Sequence, residues 1–299
     1  MRKSHLTNNQ SVMVAINKRV ILLLLPLCLL ACASVPPPPV PPALQAAQRL
    51  EQRAAQAFAQ GDWPAAQSDY QTAAEVYASL ALVEPQLRAW LSLARVQSEA
   101  GQTVLALQTV NRVLAQPGFK GLDIGIQLLA HGRAGALQMT SDTAAAQTHV
   151  QQALALCTGT CAQQAALQVL QARIALQQGQ APQALVQAGN ALKSIAAAVH
   201  PERTGAKNSA YSTATEQANA LRVRALAALA LQQPRAAADD AQIALALDQS
   251  LGLAARVVDD LRVLVDAYRA LDDTAQTQRY QALLDVAVAA RLALRGTVP

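Results

Sequence analysis

Few residues of this 299-residue chain have the types and spacing that catalysis requires. Three histidines, His131, His149 and His200, are scattered and have no cysteine or carboxylate at metal-ligand spacing. The sequence also contains three aspartate pairs, Asp239-Asp240, Asp259-Asp260 and Asp272-Asp273. Paired carboxylates can bind a cation or act as acid and base. Their commoner role is to carry charge on solvated faces and at helix N-termini. Because a phosphate-binding loop and a nucleophile elbow are also missing, the sequence predicts no enzyme, no catalytic residue, no metal and no cofactor.

The segment 1–31 has the layout of a secretory signal peptide. Lys18 and Arg19 precede an apolar run from Val20 to Leu30, which is short for a bilayer span and is interrupted by Pro26. An uncleaved anchor or a cytoplasmic apolar segment is the alternative interpretation. We expect residues 1–31 to be removed from the mature protein.

The signal peptide ends in Leu29-Leu30-Ala31-Cys32, which resembles a lipobox, the cleavage site of bacterial lipoproteins. The resemblance implies that Cys32 becomes the first mature residue and carries acyl chains such as palmitate. Cys28 fits this pattern less well, because proline and leucine precede it. Ala33 stands after Cys32 in place of aspartate, which in many Gram-negative bacteria implies sorting to the outer membrane. We therefore expect a lipid anchor in the outer membrane and a domain that faces the periplasm.

Residues 32–43 join this anchor to the rest of the chain and are rich in proline. Proline runs favour the polyproline II conformation, so the segment is predicted to be a stiff spacer that holds the domain off the membrane. A ligand for a proline-binding domain is the alternative role. The folded domain is expected to occupy residues 44–299.

The composition favours an all-α fold. Alanine, leucine and glutamine dominate and are good helix formers, whereas aromatic residues, which strands favour, make up only 3% of the chain. Four of the 24 basic residues precede position 32, and the remaining 20 nearly balance 19 acidic residues. A mature chain that is nearly neutral, without a basic patch interleaved with aromatic residues, predicts no nucleic-acid partner.

Small residues recur at fixed distances from predicted turns. Ala54 precedes Gly61 by seven residues, and Ala66, Tyr70 and Ala73 follow it at five, nine and twelve. This pattern resembles the tetratricopeptide repeat, in which two antiparallel helices cross closely at small residues. A second copy precedes Gly101 and contains Trp90, Leu93 and Ala94. The resemblance implies an α-solenoid of about six antiparallel helix pairs.

The six turns are predicted at Gly61, Gly101, Ser141, Gly179, Gln232 and Leu271. Their spacing exceeds the family's usual period of roughly 34 residues throughout, so longer helices or longer loops must absorb the difference. The longest interval, between Gly179 and Gln232, contains a polar stretch, residues 200–209, which is typical of an inserted loop. Chance matches in an alanine-rich chain are the alternative for copies three to six, of which the last departs most from the pattern.

Repeat solenoids usually bind along an inner face that the first helix of each pair lines. The repeat predicts an apolar groove there, formed by Phe58, Leu91, Val169, Leu176, Leu226, Leu229, Leu261, Val265 and Tyr268. The lysine and asparagine cluster with which some tetratricopeptide proteins clamp a peptide carboxylate is missing. Closure of the solenoid on itself, or a C-terminal helix that fills the groove, is the alternative to a partner or ligand site.

Two functions fit such a groove. A scaffold would bind a protein of an envelope assembly or transport machine, as periplasmic tetratricopeptide lipoproteins often do. A carrier would hold a lipid or sterol-like ligand between membranes. The carrier predicts an enclosed apolar cavity, whereas the scaffold predicts an open groove with a polar rim. We expect the scaffold and keep the carrier as the alternative.

Cys157 and Cys161 lie in the motif C-T-G-T-C between the third and fourth copies. An oxidising periplasm favours a disulfide there, which would pin the connection between the two copies. Gly159 lets the short loop turn. A redox pair or half of a metal site is the alternative, but the spacing departs from the C-x-x-C of thioredoxin-like sites.

Overall fold

The computed structural model describes residues 40–158, 161–198 and 207–296. The predicted signal peptide, Cys32 and most of the proline-rich spacer lie outside these residues. Gly159, His200 and most of the predicted inserted loop also lie outside them.

The described residues form twelve α-helices and contain no strand, which confirms the predicted all-α fold. A single 3-10 helix, Phe119–Gly121, lies between the fourth and fifth α-helices. The helices are α1 (Pro42–Gln60), α2 (Trp63–Ser79), α3 (Val83–Glu99), α4 (Thr103–Leu114), α5 (Ile124–Gln138), α6 (Thr143–Leu156), α7 (Gln164–Gln177), α8 (Ala181–Ala198), α9 (Lys207–Ala230), α10 (Pro234–Ser250), α11 (Ala254–Ala270) and α12 (Thr274–Gly296).

The twelve described helices form six pairs, from α1–α2 to α11–α12, and each predicted turn falls between two paired helices. From α2 onward, every helix packs against the next helix along the chain. From α3 to α11, each first helix of a pair also packs against the first helix of the following pair. The pairs therefore stack into an α-solenoid, as predicted. We call the surface formed by the first helices of the pairs the inner face.

Most paired helices are joined by a turn that contains one residue in the left-handed conformation. In three turns that residue is a glycine, Gly61, Gly101 or Gly179, with φ between +73° and +79°. The backbone N–H of the residue after the glycine donates a hydrogen bond to the carbonyl five residues before that residue, at 2.8–2.9 Å, as in a Schellman motif. Gln232 and Asp272 adopt the same conformation, with φ of +58° and +55°. The sixth turn is therefore centred at Asp272, one residue later than the predicted Leu271.

The same kind of turn also joins successive pairs, at Ala81 and Gly252, which have φ of +54° and +69°. The helices α2, α3, α10 and α11 each contain 17 residues, and each is followed by a link of the same short length. Successive helices therefore begin at equal intervals in these parts of the chain, at Trp63, Val83 and Thr103 and again at Pro234, Ala254 and Thr274. Longer helices, rather than longer loops, account for the wide spacing of the first turns.

Alanine occupies the positions where the helices cross. Alanines at the same distances from the turns as Ala54, Ala66, Tyr70 and Ala73 are completely buried; they include Ala54, Ala66, Ala73, Ala106, Ala134, Ala146, Ala172, Ala184, Ala188, Ala225, Ala237 and Ala241. At Gly135 in α5, an added Cβ would lie 2.7 Å from Cγ2 of Val150 in α6. Because the helices approach so closely, larger side chains fit only between the crossings. The core therefore gains little apolar burial per residue.

Cys157 and Cys161 form a disulfide in the connection between α6 and α7, with their Cα atoms 5.3 Å apart. Leu128, Ala153 and Leu167 form the core cluster beside it. The bridge joins the end of the third pair to the beginning of the fourth.

The left-handed turns lead to opposite predictions for two glycines, Gly101 and Gly189. A Cβ atom added at either position would have no other atom within 4 Å. Gly101 has a positive φ, so Gly101→Ala is expected to lower the free energy of unfolding by about 1 kcal/mol. Gly189 lies inside α8, so Gly189→Ala is expected to raise it by about 0.5–1 kcal/mol. Urea denaturation followed by circular dichroism measures both, and two changes of the same sign would contradict the turn assignment.

Candidate binding pocket

A cavity of about 680 Å³ opens on the inner face of pairs three to six. Its lining residues belong to the first helices α5, α7, α9 and α11, together with Gln163 at the start of α7. The volume is within the range of pockets that hold small ligands or short segments of a partner. Leucine and valine side chains form one wall, and they include Leu128, Leu167, Val169, Leu170, Val223 and Leu226.

The lining positions repeat along the solenoid. The positions 163, 166, 169, 170 and 173 at the start of and within α7 correspond to 216, 219, 222, 223 and 226 in α9 and to 256, 259, 262, 263 and 266 in α11. These sets are offset from one another by the same intervals that separate Gly179, Gln232 and Asp272, the left-handed residues of the three pairs. Each pair therefore contributes the same face of its first helix to one continuous site.

Two of the apolar residues that the sequence assigned to the groove line this pocket, Val169 and Leu226. Four others pack against core clusters instead; they are Phe58, Leu91, Leu176 and Leu229. Leu91 is only 1% exposed, and the other three are half-buried. The inner face is therefore apolar over a smaller area than the sequence predicted.

The remaining three predicted groove residues are core residues of α11. Leu261, Val265 and Tyr268 are at most 6% exposed and pack against neighbouring helices. The reason is the one-residue shift of the sixth turn, because one residue turns a helix face by about 100°. With the turn centred at Asp272, the lining positions of α11 are occupied by charged residues, which include Asp259, Arg262 and Asp266.

Arg222 lies at the centre of the site but is engaged by carboxylates beneath it. Its Nε donates a hydrogen bond to Asp260 at 2.6 Å, its Nη2 is paired with Asp248, and its Nη1 donates to Asn219 at 3.0 Å. Both aspartates are almost completely buried. Burial raises the pKa of Asp260 to about 7, and the charge of Asp248 adds to the increase. Arg222 therefore serves to hold α9, α10 and α11 together.

Other charged lining residues differ in whether they have partners. Arg262 lies 3.4 Å from Asp259, and Asp266 accepts a hydrogen bond from Arg269 at 2.8 Å. Among the residues that the structure describes, Arg173 and Arg256 form no ion pair. Burial, followed by the charges of Arg256 and Arg222, lowers the pKa of Arg173, and the charge of Asp259 acts in the opposite direction. Arg173 and Arg256 both line the cavity.

Glu216 is an acidic lining residue that interacts with the charge of Arg256. Burial raises the pKa of Glu216, and the positive charge of Arg256 acts in the opposite direction. The two side chains form no ion pair at contact distance. Glu216 therefore offsets only part of the positive charge in the pocket.

Two of the helix pairs contain an equivalent ion pair, with which Arg133, another arginine that lines the pocket, can be compared. Arg53 binds Asp69 at 2.5 Å in the first pair, and Arg224 binds Asp240 at 2.5 Å in the fifth. In both, the aspartate follows the arginine by 16 residues. The arginine comes directly before the crossing alanine of its first helix, and the aspartate lies on the second helix.

Arg133 has the same position in the third pair, directly before the crossing alanine. Sixteen residues after it, where the first and fifth pairs have an aspartate, the third pair has His149. His149 is hydrogen-bonded to His131, with 3.0 Å between the two Nδ1 atoms. One terminal nitrogen of Arg133, Nη1, is buried without a hydrogen-bond partner. Burial and the charge of Arg95 lower the pKa of Arg133 to about 10, so it remains charged at neutral pH. Arg133 is thus a cation in the pocket wall without the partner that its counterparts have.

The histidines and aspartates considered in the sequence have mostly structural positions. His131 and His149, which are far apart in sequence, meet between α5 and α6, and burial lowers the pKa of both. Among the described residues, no three potential ligands are close enough to hold a metal ion. No described helix is both long and apolar enough to cross a membrane.

The three aspartate pairs do not act as pairs. Asp240 and Asp260 are buried in ion pairs rather than solvated, which corrects the role expected from sequence. Asp273 accepts a hydrogen bond from the backbone N–H of Gln276 at 3.0 Å, as expected of an aspartate at a helix N-terminus. Asp259 lines the pocket beside Arg262.

Solved structures share this architecture at low sequence identity. The apo form of RapI matches with a TM-score of 0.61 and 11% identity, over 86% of this chain and 67% of that one. BtubC (BKLC) from P. vanneervenii matches with a TM-score of 0.54 and 15% identity, over 87% of this chain and 95% of that one. A tetratricopeptide repeat protein from Parabacteroides merdae ATCC 43184 matches with a TM-score of 0.39 and 12% identity, over 82% and 99%.

No protein-family description matches the chain, and no curated protein matches it. The likeness to the first two solved structures extends over most of the chain and concerns the fold alone. With six stacked helix pairs in its described residues, the chain is an α-solenoid of the tetratricopeptide-like kind.

The buried ion pairs of Arg222 predict a large stability loss on its removal. Arg222→Gln removes the cation that pairs with two buried aspartates, Asp248 and Asp260, and the free energy of unfolding is expected to fall by about 3–5 kcal/mol. Arg262→Gln is the matched control, because its side chain is 59% exposed and its ion pair contributes less than about 1 kcal/mol. Chemical denaturation at pH 7 compares the two, and equal losses would show that Arg222 is not a structural cation.

Proposed function

We propose that this chain is a non-catalytic scaffold, anchored by lipid at Cys32 in the outer membrane, whose inner face binds a segment of a partner protein of the cell envelope. The observation that carries the proposal is the pocket, whose lining comes from equivalent positions of consecutive first helices. A site that repeats along a solenoid suits an extended partner segment, because each pair presents the same face to it.

The charges of the pocket favour a protein over a lipid as its occupant. Five arginines and three acidic residues line the cavity, and the cavity is open to solvent on one side. A lipid tail would remove water from these side chains without replacing their hydrogen bonds, which is unfavourable. A peptide supplies amides and charged groups of its own, and an apolar centre with a polar rim is typical of protein interfaces.

The apolar wall supports a second candidate function. A lipid or sterol-like ligand would contact leucine and valine side chains from α5, α7 and α9 that line the cavity. Leu226 is 41% exposed there, whereas Leu128, Leu167, Leu170 and Val223 are at most 8% exposed. Such a ligand would place a polar group at the arginines and its apolar part on this wall. The chain would then be a carrier rather than a scaffold.

The proposed compartment is supported by two separate features. The sequence before Cys32 resembles a lipobox, and Ala33 follows it in place of aspartate. The disulfide between Cys157 and Cys161 suits an oxidising compartment such as the periplasm.

Site-specific photocrosslinking tests the proposed function. A benzoylphenylalanine placed at Leu226, which lines the pocket and is 41% exposed, is expected to give protein adducts of discrete mass in living cells. The control position is Val104, which is 74% exposed on α4 and does not line the pocket. Mass spectrometry identifies the adducts. Lipid adducts alone would support the carrier, and equal protein adducts at Val104 would contradict binding at the inner face.

The anchor is tested by substitution of the two cysteines near the cleavage site. Cys32→Ser is expected to abolish labelling with radioactive palmitate and to leave an unprocessed precursor, whereas Cys28→Ser, the matched control, is expected to retain both labelling and processing. Globomycin should block processing of the unmodified chain. Palmitate labelling that survives in the Cys32→Ser variant would exclude Cys32 as the acylated residue.

A further inference from the structure

We propose that the partner segment is acidic, with carboxylates spaced along it and apolar side chains between them, and that Arg133, Arg173 and Arg256 bind those carboxylates. The proposal rests on the proposed function, and it names the chemistry of the partner.

The first argument is the excess of positive charge in the pocket. Among the described residues, Arg133, Arg173 and Arg256 form no ion pair, and Glu216 is the lining carboxylate without one. Asp259, which is paired with Arg262, also acts on Arg173. Like charges held together in a partly desolvated site destabilise the free protein. An anionic ligand removes this repulsion, and its hydrogen bonds to arginine are charge-assisted.

The second argument is the distribution of these arginines over the solenoid. Arg133 lies on α5, Arg173 on α7 and Arg256 on α11, so the three cations belong to different helix pairs. A fatty acid has one carboxylate at one end and satisfies one such position. A peptide with several aspartate or glutamate residues reaches all three from a single extended backbone.

The third argument is the apolar surface between the cations. Leu226 on α9 is 41% exposed at this surface. Leu167 and Leu170, on the helix that carries Arg173, and Val223 on α9 also line the cavity but are at most 8% exposed. Apolar side chains of the partner would cover these residues and exclude water from the adjoining ion pairs, which strengthens them. An acidic segment that also contains leucine, isoleucine or valine therefore fits the site better than a purely acidic one.

The acidic lining residues exclude a more highly charged occupant. Glu216, Asp259 and Asp266 also face the cavity. A nucleic acid, with a phosphate at every nucleotide, would bring negative charge against these carboxylates as well as against the arginines. Isolated carboxylates on a peptide avoid this repulsion, since the residues between them are neutral.

A selection from random peptides measures the preference directly. The full-length chain is immobilised, and phage that display random dodecapeptides are selected on it. The enriched peptides are expected to carry net negative charge together with leucine, isoleucine or valine. For a synthetic enriched peptide, Arg173→Gln/Arg256→Gln is expected to weaken binding at least about tenfold, because two charge-assisted contacts are lost.

Two further variants separate the pocket from general charge and from folding. Arg49→Gln/Arg279→Gln removes the same net charge at exposed positions outside the pocket and is expected to leave binding unchanged. Arg173→Lys/Arg256→Lys keeps the charge but loses the paired donors of arginine, so it is expected to bind with intermediate affinity. Thermal melts confirm folding; the glutamine pocket variant is expected to melt no lower than the unmodified chain, because it has less internal repulsion.

Enrichment of neutral or basic peptides, equal affinity of the two glutamine variants, or binding of oleate in place of any peptide would overturn the proposal. Crosslinking from position 226 distinguishes failure of the acidic-partner proposal from failure of the proposed scaffold function. If protein adducts there persist undiminished in the Arg173→Gln/Arg256→Gln background, the acidic partner is wrong and the scaffold stands. If no protein adduct forms in any background, the scaffold itself is wrong.

Discussion

The left-handed turn that ends most of the described helices is the constraint on which the other features depend. One residue in the left-handed conformation, followed by a backbone hydrogen bond to the residue five positions earlier, reverses the chain within a very short link. Since the same turn joins helices within pairs and between pairs, successive helices begin at equal intervals over long stretches of the chain. Where this turn occurs, the phase of a helix is linked to that of the next one. Equivalent faces of α7, α9 and α11 line one pocket, at positions set by the distance from the turn of each pair.

Close crossings at alanine set the second condition. Helices that touch at Ala54, Ala134 or Ala225 have little apolar volume between them, so the described core contains few large side chains. Charged side chains also connect the helices. Arg222, with its two buried aspartates, ties three helices together beneath the pocket floor. The same residue type therefore has two roles within one site, since Arg222 is paired inside the protein and Arg173 is not.

The sequence was sufficient for the helix pairs but only partly for the pocket. Glycine marks three of the turns, and a polar residue marks the fifth, so the hairpins could be placed from local composition. The sixth turn has Asp272 in the left-handed position, and nothing in its neighbourhood distinguishes it from Leu271. An error of one residue exchanged the charged face of α11 for its buried face, which replaced Asp259, Arg262 and Asp266 by core residues.

The pairing of charges could not be predicted for a different reason. Asp248 and Asp260 are 26 and 38 residues from Arg222, and His149 is 18 residues from His131. No local pattern joins these residues, because the contacts depend on how the pairs stack. The sequence shows that these arginines lie on first helices. Only the folded chain shows which of them are paired within the protein and which remain available to a ligand.

The pocket extends over four stacked pairs, so a ligand in it would contact all four of them. Each pair contacts chiefly its neighbours, so the gap between α5 and α11 is set by several small rotations in series. A ligand that bridges the gap holds all of these rotations at one value. Occupancy of the inner face would therefore stiffen the solenoid against bending.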